Sequence, residues 1–201
     1  MLPVSKGEET RSRILRHASS VASRDGIEGL SIGELAAALE MSKSGLFAHF
    51  GSKEELQVAV LRASAADFEE KVVRPALQQP RGAPRLRTLF ELWLKWAFTP
   101  EAAGGCIFAA ASFELDDRPG PVRDYLVGEE KRLLELLSRS ARLGVESGVF
   151  RADLDCDLLA FQIHGLMLGF HHARRLLRLR TAESMARRAF EQLLAQALPA
   201  R

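Results

Sequence analysis

Apolar side chains recur at three- and four-residue spacing along almost the whole chain, and no stretch alternates apolar and polar positions for long enough to read as a strand. The pattern predicts an all-α protein. Ile14, Leu15, Ala18, Val21 and Ala22 share one face, so a first helix is expected from about Glu8 to Arg24, with Gly26 and Gly29 ending and turning it. Three short segments follow, each opened by a serine. Ser31 has Glu34 three residues on, the spacing of a capping box, with Leu30 and Leu35 at staple positions. Ser42 opens the next segment between Met41 and Leu46, and Ser52 opens a third with Glu55 completing a second box. Closely spaced start signals of this kind dictate two very short helices and then a longer one, the rhythm of a helix-turn-helix.

The helix from Ser52 is expected to reach about Arg74, where Pro75 ends or kinks it. Residues 78–84, with two prolines and a glycine, read as a loop. Further helices are expected at about 85–98, 103–115, 121–147, 155–178 and 181–197, separated by Thr99-Pro100, by the run Asp117 to Pro121 and by Gly148.

Composition adds limits. The 201 residues are 47% hydrophobic, enough for a packed interior, and the net charge of +2 does not point to nucleic acid. Cys106 and Cys156 form no disulfide pattern, which suits a reducing compartment. The first residues carry no apolar run of signal-peptide length, and no stretch approaches the roughly 20 apolar residues of a membrane span. A cytoplasmic protein with no membrane contact is expected.

Local charge changes the picture. Between Glu40 and Glu54 there is no acidic residue, while Lys43, His49 and Lys53 stand among serines at 42, 44 and 52. The start of a short helix offers open backbone N–H groups to phosphate, and small or basic side chains there can enter a major groove. Against this, residues 1–60 hold seven Lys or Arg and eight Asp or Glu, a net of −1. Affinity for DNA would therefore come from locally placed charge and from two copies of the chain.

Residues Glu8 to Leu61 resemble the DNA-binding domain of the TetR family of bacterial regulators. The run from Ser42 to Phe50 is similar to that family's recognition helix, and Gly51 to Leu56 to the start of its fourth helix. The resemblance implies that Ser31 and Ile32 lie near phosphates, that Ser42, Lys43, Ser44 and Gly45 open the recognition helix towards DNA, with Phe47 and His49 on the same helix, and that Lys53 contacts phosphate. Phe47 stands where the family usually has tyrosine, so a hydroxyl contact is missing. Glu40 stands where the family usually has glycine, and if that turn needs a left-handed residue Glu40 is strained. The family layout divides the chain into a helix-turn-helix domain at residues 1–55 and a helical effector-binding and dimerisation domain at 56–201. It implies ligand-relieved repression at double-stranded operator DNA by a homodimer.

The second half is rich in aromatic groups, most of which belong to a core. Trp93, Trp96, Phe108, Tyr125, Phe161, His164 and Met167 lie in segments that would surround an effector cavity if the family layout holds. Leu158, Leu159, Leu166, Leu168, Leu176, Phe190, Leu193 and Leu194 give the last two helices apolar surface enough for a four-helix dimer contact. No cofactor, metal site or catalytic group is expected. His164 and His171 would sit about 10 Å apart along a helix, too far for one ion. The Gly-x-Ser-x-Gly spelled by residues 29–33 lacks the preceding strand a hydrolase elbow needs, and Ser31 is accounted for as a cap. Residues 171–188 carry six arginines and one glutamate, a net of +5, which suits a helix C-terminus or an acidic partner. Control by oxidation of Cys106 or by a protein partner is the alternative to a small effector. A helical enzyme or carrier is the rival from another class, and the head from Ser31 to Leu56 speaks against it.

Overall fold

The computed structural model describes residues 5–99 and 104–199. Those residues form helices and connections, without a strand among them. The expected Thr99-Pro100 break, the first residue of the helix placed at 103 and the first four residues of the chain lie wholly or partly outside the described residues. The chain divides into two compact units, one of residues 1–67 and 98–127, the other of residues 68–97 and 128–201.

The first unit opens with α1 (Lys6–Asp25), which starts on a complete capping box between Ser5 and Glu8. The short helices α2 (Ile32–Ala38) and α3 (Lys43–Phe50) follow, then α4 (Lys53–Phe68). Each serine foreseen as a start does cap a helix: Ser31 Oγ accepts the Glu34 N–H at 3.4 Å, Ser42 Oγ the Gly45 N–H at 3.0 Å and Ser52 Oγ the Glu55 N–H at 3.0 Å. Ile14, Ala18, Ala22, Ile27, Leu30, Leu35, Leu46, Phe50, Leu56 and Leu61 close into one core under these helices. From the later part of the chain, α7 (Ile107–Leu115) adds Ile107, Ala111 and Leu115 to that core, and α8 (Pro121–Glu146) adds Val122 and Leu126.

Between α2 and α3 the backbone turns through Glu40 at φ +55°. The Met41 N–H bonds to the Ala36 carbonyl at 2.8 Å and the Glu40 N–H to the Ala37 carbonyl at 3.2 Å, the paired bonds of a Schellman C-cap. The left-handed residue is therefore required here, and Glu40 occupies it where a residue without Cβ would rest unstrained.

The second unit begins at Phe68, the last residue of α4, and the helix there does not stop at Pro75. It widens into a π-helical turn at Glu69–Val73 and continues as α5 (Arg74–Leu77). Pro75 has no N–H to return to the preceding turn, and a locally widened ladder lets the helix pass it. The remaining helices are α6 (Ala83–Trp96), α9 (Cys156–Arg175) and α10 (Ala182–Ala197), with the rest of α8. Phe90 and Phe190 stack at 4.0 Å in nearly parallel planes between α6 and α10. Arg87 and Glu191 make a two-pronged ion pair at 2.7 and 2.8 Å beside them, and Arg187 pairs with Glu91.

Candidate nucleic-acid interface

The residues singled out for DNA contact gather on α2, α3 and the first turn of α4. Ser42, Lys43 and Ser44 are exposed at the start of α3, and the Ser42 and Ser44 hydroxyls lie 3.2 Å apart. Gly45 is half-buried behind them, as are Ser31 and Ile32 at the start of α2. Phe47 is 44% exposed on the next turn of α3, a large apolar side chain left outside while Leu46 and Phe50 fill the core. His49 is half-buried, its ring tilted against Phe50 at 6.3 Å.

Lys53 is exposed, and its ammonium is already engaged: Nζ donates to the Glu28 carbonyl at 2.7 Å and lies 4.0 Å from the Glu28 carboxylate. A phosphate drawn to Lys53 would compete with that carbonyl.

Two residues that the sequence pattern did not assign to DNA contact lie against side chains of α3. Gly33, in the first turn of α2, leaves the space over which Lys43 lies: a Cβ there would stand 3.1 Å from Lys43 Cε and 3.4 Å from Nζ. Arg11 of α1 sets its guanidinium 4.8 Å from the centre of the Phe50 ring. Neither has a sequence signal, because each depends on which helix packs beside it.

The seven residues proposed around an effector fall into three groups. In the second unit, Trp93 and Trp96 are buried, and both meet the Phe68 ring edge-on, at 5.7 and 5.1 Å. Trp93 also lies 6.2 Å from His164, whose Nε2 stands 2.7 Å from Glu130 Oε2, and Met167 is buried on the same helix. Phe108 and Tyr125 belong to the first unit, half-buried against its core, with Arg62 5.5 Å from the Tyr125 ring. Phe161 departs from the expectation. It is 68% exposed, on the open face of α9 with Leu158, Gly165 and Gly169. Since α9 is apolar nearly all round, periodicity does not tell which side faces inward. The dimer residues divide similarly: Leu158 and Leu176 are exposed, whereas Leu159, Phe190 and Leu194 are buried within the chain.

Cys106 occupies the N-cap position of α7 and is buried, and Cys156 is half-buried, with burial pushing its thiol pKa up. His171 is buried, and burial lowers its pKa from 6.5. No helix of the described residues is long and apolar enough to cross a membrane.

Comparison with known proteins agrees with this geometry. Residues 14–60 match the family model described as bacterial regulatory proteins, tetR family, and residues 82–190 match the tetracyclin repressor-like C-terminal domain. The chain is 25% identical over 150 residues to the HTH-type transcriptional repressor DhaR of Mycobacterium sp. strain GP1, covering 75% of this chain and 74% of that one. The crystal structure of a TetR transcriptional regulator from Chloroflexus aurantiacus J-10-FL superposes with a TM-score of 0.83 at 25% identity, over 94% of each chain. AibR, solved in complex with isovaleryl coenzyme A and operator DNA, superposes with a TM-score of 0.73 at 23% identity, over 95% of this chain and 99% of that one. With both halves matched and the helix-turn-helix in place, the chain belongs to the TetR family of DNA-binding transcriptional regulators.

Proposed function

We propose that this regulator is a cytoplasmic homodimeric repressor that holds operator DNA with α2 and α3 and releases it when a small apolar or amphipathic compound binds. The observation that carries the operator reading is the start of α3. Ser42 caps it, Lys43 and Ser44 stand exposed beside the cap, and no acidic residue lies in its first turn. Ser31, Ile32, Gly45, Phe47, His49 and Lys53 complete the contact set. The division into a DNA-binding part at 1–55 and a regulatory part at 56–201 is the functional one we propose.

The dimer reading rests on α9. Leu158 and Phe161 are 49% and 68% exposed on one face, and a Cβ at Gly165 or Gly169 would meet nothing within 4 Å. An apolar strip with small residues at its centre suits close approach of a second copy. For the effector we propose the cluster of Phe68, Trp93, Trp96 and Met167, with the Glu130–His164 pair as its polar contact. AibR was solved with isovaleryl coenzyme A bound, and a small-molecule effector for this chain is inferred by that analogy.

Selecting DNA from a genomic library with the purified protein tests the operator reading. Enrichment of an inverted repeat is expected, and recovery of no common sequence refutes it. Trp93 and Trp96 report on the effector by fluorescence: a true effector changes the emission and releases the selected DNA over the same concentration range.

A further inference from the structure

The connection between α1 and α2 is held by side chains from two other helices of its own unit, and one of them plays no part in the function proposed above. Glu114, in the last turn of α7, lays its carboxylate along the turn: Oε1 accepts the Ile27 N–H at 3.2 Å and Oε2 accepts the Glu28 N–H at 2.9 Å. Gly26 makes this possible. It sits at φ +86°, and a Cβ there would stand 2.5 Å from the Glu114 carboxylate. On the other side of the turn, the Gln57 amide donates to the Ile27 carbonyl at 2.9 Å and to the Glu28 carboxylate at 3.1 Å. Lys53 holds the Glu28 carbonyl, and Arg118, just beyond α7, reaches the Glu28 carboxylate at 3.3 Å.

A carboxylate is an odd choice for this place. It lies beside the C-terminal end of α1, where the helix dipole disfavours negative charge. Two N–H donors directed at one carboxylate offset that cost and fix the turn more tightly than one neutral bond would. The turn in turn leads, over Leu30, straight into Ser31 and the start of α2, and the Ile27 side chain is fully buried in the core beneath it.

We propose that Glu114 is a positioning residue for operator binding: from α7, its carboxylate fixes the turn at residues 26–28 and thereby the placement of Ser31, Ile32 and Lys53 against DNA. The inference rests on the operator reading above. Glu114 lies outside the segment that matches the DNA-binding family model, at 14–60, and within the one that matches the C-terminal domain, at 82–190.

The test compares wild type, Glu114→Gln and Glu114→Asp, the last retaining the charge but too short to span both amides. Three quantities are read: thermal midpoint, amide hydrogen exchange at Ile27 and Glu28, and affinity for the DNA selected by wild type as a function of salt. Exchange at the two amides is expected to rise about tenfold in Glu114→Gln and Glu114→Asp, in keeping with loss of charge-assisted bonds. Operator affinity should fall about tenfold well below the melting temperature, with the salt slope reduced by up to about one per half-site as Lys53 is displaced from phosphate. A purely structural role would lower the melting temperature and leave operator affinity at wild-type strength, and that result overturns the proposal. If Glu114→Gln does not fold, Glu114→Asp alone decides between these outcomes. A wild-type protein that selects no DNA would overturn the operator reading and this inference with it, an outcome distinct from a wild type that binds and variants that bind equally well.

Discussion

Replacing Glu40 by glycine should make this protein more stable, although Glu40 lies in the turn of the helix-turn-helix. Glu40 holds φ at +55°, where an ordinary L-residue costs about 1–2 kcal/mol relative to the right-handed region. Glycine removes that cost but gives back roughly 0.5–1 kcal/mol through the greater freedom of the unfolded chain. The side chain is exposed, and the Schellman bonds at Ala36 and Ala37 are made by backbone, so neither offsets the gain. The net is a stabilisation of about 0.5–1 kcal/mol, or a rise of about 1–4 °C in melting temperature for a chain of this size. Glu40→Ala separates backbone from charge, since it keeps the Cβ and loses the carboxylate. Thermal or urea unfolding of the three proteins should rank glycine above the other two. Both variants should bind DNA somewhat more tightly at low salt, because each removes an acid beside the operator face. Equal midpoints for the glycine and alanine variants would refute the strain argument.

Lys53→Ala should weaken binding to all sequences alike and reduce the salt slope by about one per half-site, as expected of a phosphate contact; loss of sequence preference at unchanged general affinity would assign Lys53 another role. Phe161→Glu should convert the dimer to monomer in sedimentation, since it places a charge within the open apolar strip on α9. It is a cleaner probe than removing α9 and α10, which would strip Phe190 from Phe90 and unmake the core. Retention of a tight dimer by Phe161→Glu would place the interface elsewhere. Stability should fall as pH drops below about 6.5: His171 has a lowered folded pKa, so the unfolded chain takes up its proton first, and the loss continues until the folded form also protonates. His171→Gln should flatten that part of the pH profile, and an unchanged slope would assign it to other groups.

The sequence alone determined the helices and the place of the DNA-binding head. Ser31, Ser42 and Ser52 cap their helices by bonds to backbone three residues away, and a signal that local survives any tertiary arrangement. The strained turn at Glu40 was legible only through the family resemblance, which puts glycine at that position, and the structure supplies the left-handed φ that the resemblance left conditional. The box read at Ser31 is made by the serine bond alone, while the complete box stands at Ser5, ahead of the start the apolar pattern placed at about Glu8. Tertiary structure decided what depends on neighbours distant in sequence. Periodicity did not say which face of α9 is covered, and Phe161 lies outside while Met167 lies inside. Pro75 predicted an end or a kink, and only the structure shows that a π-helical turn carries the helix past it. Lys53 meets a carbonyl 25 residues back, and Glu114 meets amides more than 80 residues away. Pairings of that kind leave no spacing to read, because the chain fixes them only after α7 has packed against α1.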